Sequence, residues 1–400
     1  MKRRPGGVTL IAVAFLLLGV LSLLWSLFVF GFGGLTWMTG AIFDATGMAA
    51  TGSANTWQGF IGLLSASVQL VTGFGLLALK RWAWFLAFLA VAAILAVVEA
   101  GRLAEARVGE RLASEASHRA EIYAQSLEGA IERFGYLPAA AALDLNLQRL
   151  LLQPHDQDLL AAVNAYLETL SQAAGATVLY LMDPAGITIA SSNWRTPETY
   201  VGVDFSYRPY FTAAIAGEAG RFYAIGTLTG VPGYFISAPV VVGGQVRGAV
   251  ATKVNLDPLE AVWKEAADRV LVTDRHGIVF LASDPKLKFR AVRPIAAEVR
   301  AELARTRQYG RDDYPLIELG RQESAGGIAL VAGSEVAPRG RVIAHDKALP
   351  AYGWRLLLLA DAGPMDLAGR SARLGMALAF VVLGLIGLYW RQHLRRAREH

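Results

Sequence analysis

Val178-Leu179-Tyr180-Leu181-Met182-Asp183-Pro184-Ala185-Gly186-Ile187-Thr188-Ile189-Ala190-Ser191-Ser192 decides the fold. From Ala176 to Asp183 the chain is almost continuously apolar and reads as a buried strand. Pro184-Ala185-Gly186 is its turn, and Ile187–Ser192 is the return strand. About ninety residues later the same order comes back: Arg269–Asp274, the turn Arg275-His276-Gly277, and Ile278–Ala282. Strand, aspartate, glycine turn, strand, met twice, argues for two tandem α+β modules.

Working outward, the first module spans about 135–262. After a break at Gly135-Tyr136-Leu137-Pro138 come helical stretches through Leu150 and through Leu170. Beyond the first hairpin lies a helix around Tyr210–Ala216. Strands are expected at Phe222–Thr229, Tyr234–Val242 and Val246–Asn255, punctuated by Gly230–Gly233 and Gly243-Gly244. The result is a five-strand antiparallel sheet with helices on one side. The second module, about 263–361, continues with a helix near Ile295–Arg305 and strands at Gly327–Ala332, Arg341–Ala344 and Trp354–Asp361. Before both modules, Glu99 to Phe134 has no proline, and Leu103, Leu112, Ala116, Tyr123, Leu127, Ile131 and Phe134 recur at helical spacing. This reads as a long stalk helix, packed on its own domain and paired with a second copy as a homodimer.

The whole chain, 400 residues at 54% hydrophobic and 18% charged, is more apolar than soluble domains generally are. Four runs are candidates for membrane helices: about 8–30, 57–79, 82–98 and 374–390. A cleavable signal is the competing reading of the first, but the run is long and no small-x-small site follows it. Met1–Arg4, Lys80-Arg81 and Arg391–Arg398 fall on one side if all four span, and the loop Gly33–Thr56 holds no Lys or Arg. The positive-inside rule then puts both termini in the cytoplasm and residues 100–373 outside the membrane. The domain order is three spans in 1–99, an extracytoplasmic part at 100–373 with its stalk at 99–134, a span at 374–390 and a basic tail at 391–400.

Several chemistries find no support. There is no cysteine, so neither a disulfide framework nor a thiolate site exists. No Walker loop, HExxH, GxSxG or dinucleotide fingerprint is present. The histidines, His118, His155, His276, His345, His393 and His400, show no metal-ligand spacing. No cofactor and no metal are expected. The net charge of +5 gathers beside apolar runs, a topology signal rather than one for nucleic acid.

The strand Val246–Asn255 carries Val246, Gly248, Val250, Thr252 and Val254 on one face, and Arg247, Ala249, Ala251, Lys253 and Asn255 on the other. Lys253 behind two alanines reads either as a snorkelling surface charge or as a cation above a pocket floor. A second cation, Arg208, lies among aromatics in Phe205-Ser206-Tyr207-Arg208-Pro209-Tyr210-Phe211. A guanidinium suits a carboxylate fork, and an ammonium supplies a point charge. A recessed dianion needs two such partners to offset its desolvation. Ser206, Thr227 and Ser237 offer hydroxyls.

At these residues the chain resembles the periplasmic double Cache (PAS-like) sensor domain of bacterial four-carbon dicarboxylate sensor histidine kinases. The resemblance rests on Tyr180–Asp183, Ala190-Ser191-Ser192-Asn193-Trp194, Tyr200-Val201-Gly202 and Phe205–Phe211. It continues through Arg221–Thr227, Gly233-Tyr234-Phe235-Ile236-Ser237, Lys253–Glu260 and Val270–Asp274. It implies an α+β fold of stalk and two antiparallel-sheet modules beside an all-α membrane part of four helices. It also implies a receptor in the bacterial inner membrane that senses succinate, fumarate or malate in the periplasm, as in two-component signalling. Ser206, Arg208, Thr227 and Lys253 are the implied ligand contacts, with Tyr207, Tyr223 and Ser237 as pocket walls. Phe205 stands where the family commonly has tyrosine, a difference of about 0.5–1.5 kcal/mol in one hydrogen bond. Family members usually have one helix before the sensor domain and a kinase after the last one. Only the ten residues 391–400 follow Trp390 here. This stretch is therefore expected not to be an enzyme. It reads as a fragment or degenerate member of a sensor kinase. The alternatives are a stand-alone receptor that acts through a separate kinase or response partner, an accessory membrane protein using the fold for contacts, or a receptor for another small carboxylate.

Overall fold

The computed structural model describes residues 6–42, 63, 66–67, 69–74, 81–266, 269–318, 320–325 and 328–399. They fall into two compact units, Met1–Ala104 with Ala368–His400, and Glu105–Leu367.

In the second unit, both expected modules are present. The first is a five-stranded antiparallel sheet in the order β2-β1-β5-β4-β3, built from β1 (Val178–Met182), β2 (Thr188–Ser191), β3 (Gly220–Ile225), β4 (Pro232–Val242) and β5 (Gln245–Val254). The second is six-stranded, β7-β6-β11-β10-β9-β8. Its strands are β6 (Arg269–Thr273), β7 (Val279–Ala282), β8 (Arg321–Ala325), β9 (Ile328–Ser334), β10 (Ala337–Leu349) and β11 (Trp354–Asp361). Strand β8 had no counterpart in the sequence reading: Arg321-Gln322-Glu323-Ser324-Ala325 has no apolar alternation to betray it.

The repeat extends to single atoms. Asp183 Oδ1 accepts from the Ala185 and Ile187 amides, and Asp274 Oδ1 from those of His276 and Ile278, all at 2.9 Å. These are Asx turns, in which a short carboxylate satisfies amides that the hairpin leaves open. Each hairpin also shifts register at the equivalent step, Leu181/Met182 and Val272/Thr273. In each, a serine hydroxyl takes the amide of the first strand: Ser192 from Leu179 and Ser283 from Val270.

Helices cover both faces of the first sheet, not one as expected. Leu179, Leu181, Ile236, Val250 and Val254 share a core with the long helix α2 (Arg81–Glu132) through Ala116, Ala120, Ala124, Leu127 and Ile131. Small residues one turn apart let helix and sheet approach closely. The helices α3 (Leu137–Ala141), α4 (Leu145–Leu152) and α5 (Gln157–Ala174) complete that layer. Asp144 and Asp156 cap the last two by accepting amides of their first turns. The opposite face is covered by α6 (Pro209–Ile215), whose Tyr210, Phe211 and Ala214 pack over Tyr180, Ala249 and Ala251. The stalk stripe is thus used largely within its own domain, while Ile122 is left exposed.

The two modules meet through aromatic rings. Tyr223 of β3 lies 4.4 Å from Phe280, and Tyr234 lies 5.4 Å from Trp354, centroid to centroid. The boundary expected near 262 falls inside α7 (Asp257–Glu265). That helix works for the second module: Glu260 accepts the Ala282 amide at 2.8 Å and pairs with Lys288 at 2.7 Å. The second sheet carries its own cluster of Leu271, Val279, Ile317, Val331 and Leu359, with α8 (Ala297–Thr306) nearby in sequence.

In the first unit, α1 (Gly6–Ile42) and α9 (Gly363–Glu399), which runs on from the second unit, contain apolar lengths sufficient to cross a membrane, Thr9–Val29 and Gly363–Arg398. These are two of the four expected spans. The run 82–98 is helical as the first part of α2. Most of 57–79 lies outside the described residues.

Candidate functional site

Strand alternation delivers Lys253. Its neighbours Thr252 and Val254 are turned toward the stalk layer, so Lys253 shares the opposite face with Ala249 and Ala251 and is only 2% exposed. Its register partners are Val178 on β1 and Phe235 on β4. The stem passes over Gly233, where a Cβ would come within 2.5 Å of Lys253 Cε. Nζ donates to the Val231 carbonyl at 2.9 Å and to Thr229 Oγ1 at 3.3 Å. Burial pushes this ammonium down to about 8. The Asp257 carboxylate works against the shift and the Arg208 charge adds to it.

Arg208 is placed by its neighbour. Pro209 opens α6 with a preset φ, which leaves Arg208 extended at the cap position, φ −83 and ψ 132. Its side chain is 1% exposed. Nη2 donates to the Ile225 carbonyl at 2.9 Å, and Nη1 to the carbonyls of Thr306 and Arg307 at 3.1 Å each. Nε is buried with no partner. Among the described residues neither Arg208 nor Lys253 has a carboxylate ion-pair partner.

The two cations converge on consecutive residues. Ile225 gives its carbonyl to Arg208, and a Cβ on Gly226 would lie 3.2 Å from Lys253 Nζ. A cavity of about 400 Å3 opens beside them, with Ile225, Gly226 and Thr227 in its wall. Among the described residues neither charge has a carboxylate in contact, although the Asp257 carboxylate acts on Lys253 from farther off, and buried charge of this kind is costly unless a counter-charge is close.

The other expected residues divide. Thr227 is exposed and lines the cavity. Tyr207 is half-buried, with the Arg208 guanidinium 5.3 Å and the Arg307 guanidinium 4.8 Å from its ring centroid. Ser206 donates its amide to Asp204 at 2.8 Å. Hydrogen bonds from the Ser206 backbone and hydroxyl hold the Asp204 carboxyl below the usual range. Phe205 packs on Tyr180 and Tyr200 at 5.5 Å each. Ser237 is buried, and its hydroxyl is taken by the Tyr210 carbonyl at 2.7 Å. Tyr223 is turned to the opposite face of the sheet, where its hydroxyl donates to the Phe280 carbonyl at 3.1 Å. The structure brings Tyr207 to Arg208 and Thr227 to the cavity wall, and sends Tyr223 to the joint between modules.

Sequence reasoning missed Thr229, Arg307 and a set of buried tyrosines. Tyr180 and Tyr210 share a hydroxyl–hydroxyl hydrogen bond of 2.8 Å, and burial raises both phenols far above their ordinary range. The nearby Arg208 charge opposes the shift in each, and in Tyr200 as well. A signal for Tyr180 existed: it pairs with Ala251, two residues before Lys253 on the same face.

No family model matches the chain. It is 33% identical over 326 residues to the C4-dicarboxylate transport sensor protein DctB of Rhizobium meliloti, covering 78% of this chain and 51% of that protein. To the protein of the same name from Pseudomonas aeruginosa it is 29% identical over 286 residues, covering 71% and 44%. The chain spans about half the length of these curated relatives. The sensor domain of the V. cholerae histidine kinase DctB superposes with a TM-score of 0.57 at 25% identity, over 63% of this chain and 97% of that one.

Proposed function

We propose that this chain, which carries the double Cache sensor domain of DctB-like proteins, is a membrane receptor for a short dicarboxylate such as succinate, fumarate or malate. One observation carries the proposal: Arg208 and Lys253 are buried, converge on Ile225-Gly226 and, among the described residues, lack an ion-paired acid. The carbonyls of Ile225, Val231, Thr306 and Arg307 occupy the donors that a carboxylate would otherwise take. A carboxylate displaces a neutral carbonyl from these cations because it brings a full opposite charge, and to a guanidinium a bidentate pair of acceptors. Ligand therefore withdraws the two cations from these carbonyls, and the loop 226–231 rearranges around the dianion.

The signal then has a route. Arg208 holds the end of α8 in the second module, so a ligand that competes for its guanidinium changes what the modules say to each other. Binding shifts the equilibrium only by its differential affinity for the two arrangements. The chain is read as an inner-membrane protein with four spans, a periplasmic sensor domain and both termini cytoplasmic, on the strength of the three basic clusters. It acts as a homodimer through stalk and membrane helices and passes its state to a kinase or response partner. Exposed Leu103 and Ile122 are apolar stalk residues available to such a dimer.

The test is calorimetric titration of the full chain in lipid nanodiscs with succinate, fumarate and malate. Saturable heat with at least one is expected, and its loss in an Arg208→Ala, Lys253→Ala double variant. Silence with all three diacids sinks the reading.

A further inference from the structure

The cavity beside the cation pair has a second wall. Besides Ile225, Gly226 and Thr227, the second module contributes Leu303, Arg307, Arg311 and the acidic Asp312 to its lining. Arg307 follows the last turn of α8 and takes φ 49, ψ 37. Helices commonly end on glycine in this left-handed conformation, because a Cβ makes it costly. An arginine retained there sets an exposed cation at the cavity mouth against a backbone preference, and such outliers gather at ligand sites. Its guanidinium rests over the Tyr207 ring at 4.8 Å. Among the described residues it forms no ion pair within 4 Å, and its charge helps to lower the Asp204 carboxyl. Its own carbonyl accepts from Arg208 Nη1 at 3.1 Å, so the residue already touches the first module's cation through its backbone.

Resting on the dicarboxylate reading above, we propose that Arg307 is a third, specificity-determining cation of the ligand site, supplied by the second module. Lys253 holds one carboxylate of the diacid. Arg208 holds the other from below, and Arg307 leaves the Tyr207 ring to close on it from the cavity side. A bound diacid is thereby in contact with both modules, whereas a ligand with one carboxylate engages a single end of the site. The joining of the modules is a property of the second negative charge.

Three variants of the full chain in nanodiscs separate charge from backbone: Arg307→Ala, Arg307→Gly and Arg307→Lys, each titrated with succinate. Alanine and glycine should both weaken binding about tenfold, as loss of one partly desolvated charge contact does. Lysine should keep most of the affinity. The ligand-free melting midpoint should not fall for glycine, which relieves the left-handed backbone. Wild-type affinity in the glycine variant, or an unchanged affinity in the alanine variant, overturns the proposal. Wild-type protein that takes up no succinate would overturn the dicarboxylate reading and this inference with it, an outcome distinct from a bound wild type with indifferent variants.

Discussion

Arg208 Nη1 donates to the carbonyl of Thr306 at 3.1 Å, across 98 residues of sequence, and so ties the first module's buried cation to the end of a helix in the second. A carbonyl at a helix C-terminus carries partial negative charge and is a weak stand-in for a carboxylate. The arrangement holds the guanidinium in place while leaving Nε for a better acceptor.

Replacing Arg208 by alanine removes that cation and leaves the carbonyls of Ile225, Thr306 and Arg307 without their donor. Binding of succinate should weaken by about 30-fold or more, the loss expected when one partner of a buried charge pair is truncated. The ligand-free protein should also lose about 1–3 kcal/mol from unsatisfied polar groups. Arg208→Lys restores the charge but reaches fewer carbonyls, so it should recover part of the affinity. Calorimetry with a parallel thermal melt checks both effects, and equal binding by wild type and the alanine variant contradicts the assignment.

Lys253 predicts a pH dependence. Its ammonium is held near 8 in the ligand-free protein, below the ordinary range near 10.4. A dianion binds the charged form, so affinity should be constant below about 8 and fall about tenfold per pH unit above it, with proton uptake on binding near that pH. For stability the sign is opposite. Between about 8 and the unfolded value the unfolded chain binds the extra proton, so the ligand-free fold gains stability as pH rises through that window. Lys253→Met should abolish binding and its pH dependence while raising the ligand-free stability at neutral pH by at most about 3 kcal/mol of relieved desolvation, less the cost of leaving the Val231 carbonyl without a donor. Titrations from pH 6 to 9.5 distinguish this from a lysine that only packs, which would leave affinity flat.

What the sequence disclosed and what it hid follow from range. Period-two alternation is local, so Val246–Asn255 placed Lys253 with Ala249 and Ala251, and those three do share a face. The strand–Asp–turn–strand repeat is equally local and returned with the same Asx turns. The parity of β3 needed its partner strand: Phe222 pairs with Phe235, itself beside Lys253, which puts Tyr223 on the far side. Extending β3 to Thr229 hid the turn 226–230, and with it the contact of Thr229 rather than Thr227 with the ammonium. Nothing in the neighbourhood of Arg208 announced Thr306 and Arg307, because no local pattern encodes a contact 98 residues away.

Gly233 allows Lys253 to lie flat across β4. A Cβ there would stand 2.5 Å from Cε and 2.8 Å from Cγ, and Cγ is too near the backbone to swing clear. Gly233→Ala should therefore lift the ammonium off Val231 and weaken succinate binding about tenfold, a scale set by loss of one charge-assisted contact. The same crowding of a buried stem should also lower the melting point, by the equivalent of about 1–3 kcal/mol. A titration that finds wild-type affinity would show that the lysine stem has another path.

The two hairpin aspartates make the last test, because the repeat gives them the same job in different surroundings. Asp183 accepts the Ala185 and Ile187 amides at a half-exposed turn. Asp274 does the same while buried, and its second oxygen accepts the Tyr309 hydroxyl at 2.9 Å. Burial raises the Asp274 carboxyl, with the Ile278 amide and the Tyr309 hydroxyl pulling against that shift. Asp183→Ala loses turn hydrogen bonds that water replaces in part, about 1 kcal/mol. Asp274→Ala also strands a buried phenol whose ring packs on Tyr223 and Phe289, and should cost about 3 kcal/mol. Tyr309 stands two residues beyond Arg307, so the same change should weaken succinate binding as the loop carrying Arg307 loses its anchor, whereas Asp183→Ala should leave binding unchanged. Denaturant melts and titrations of the two variants side by side decide it: equal costs would mean that the second hairpin's buried phenol contributes nothing to holding the loop.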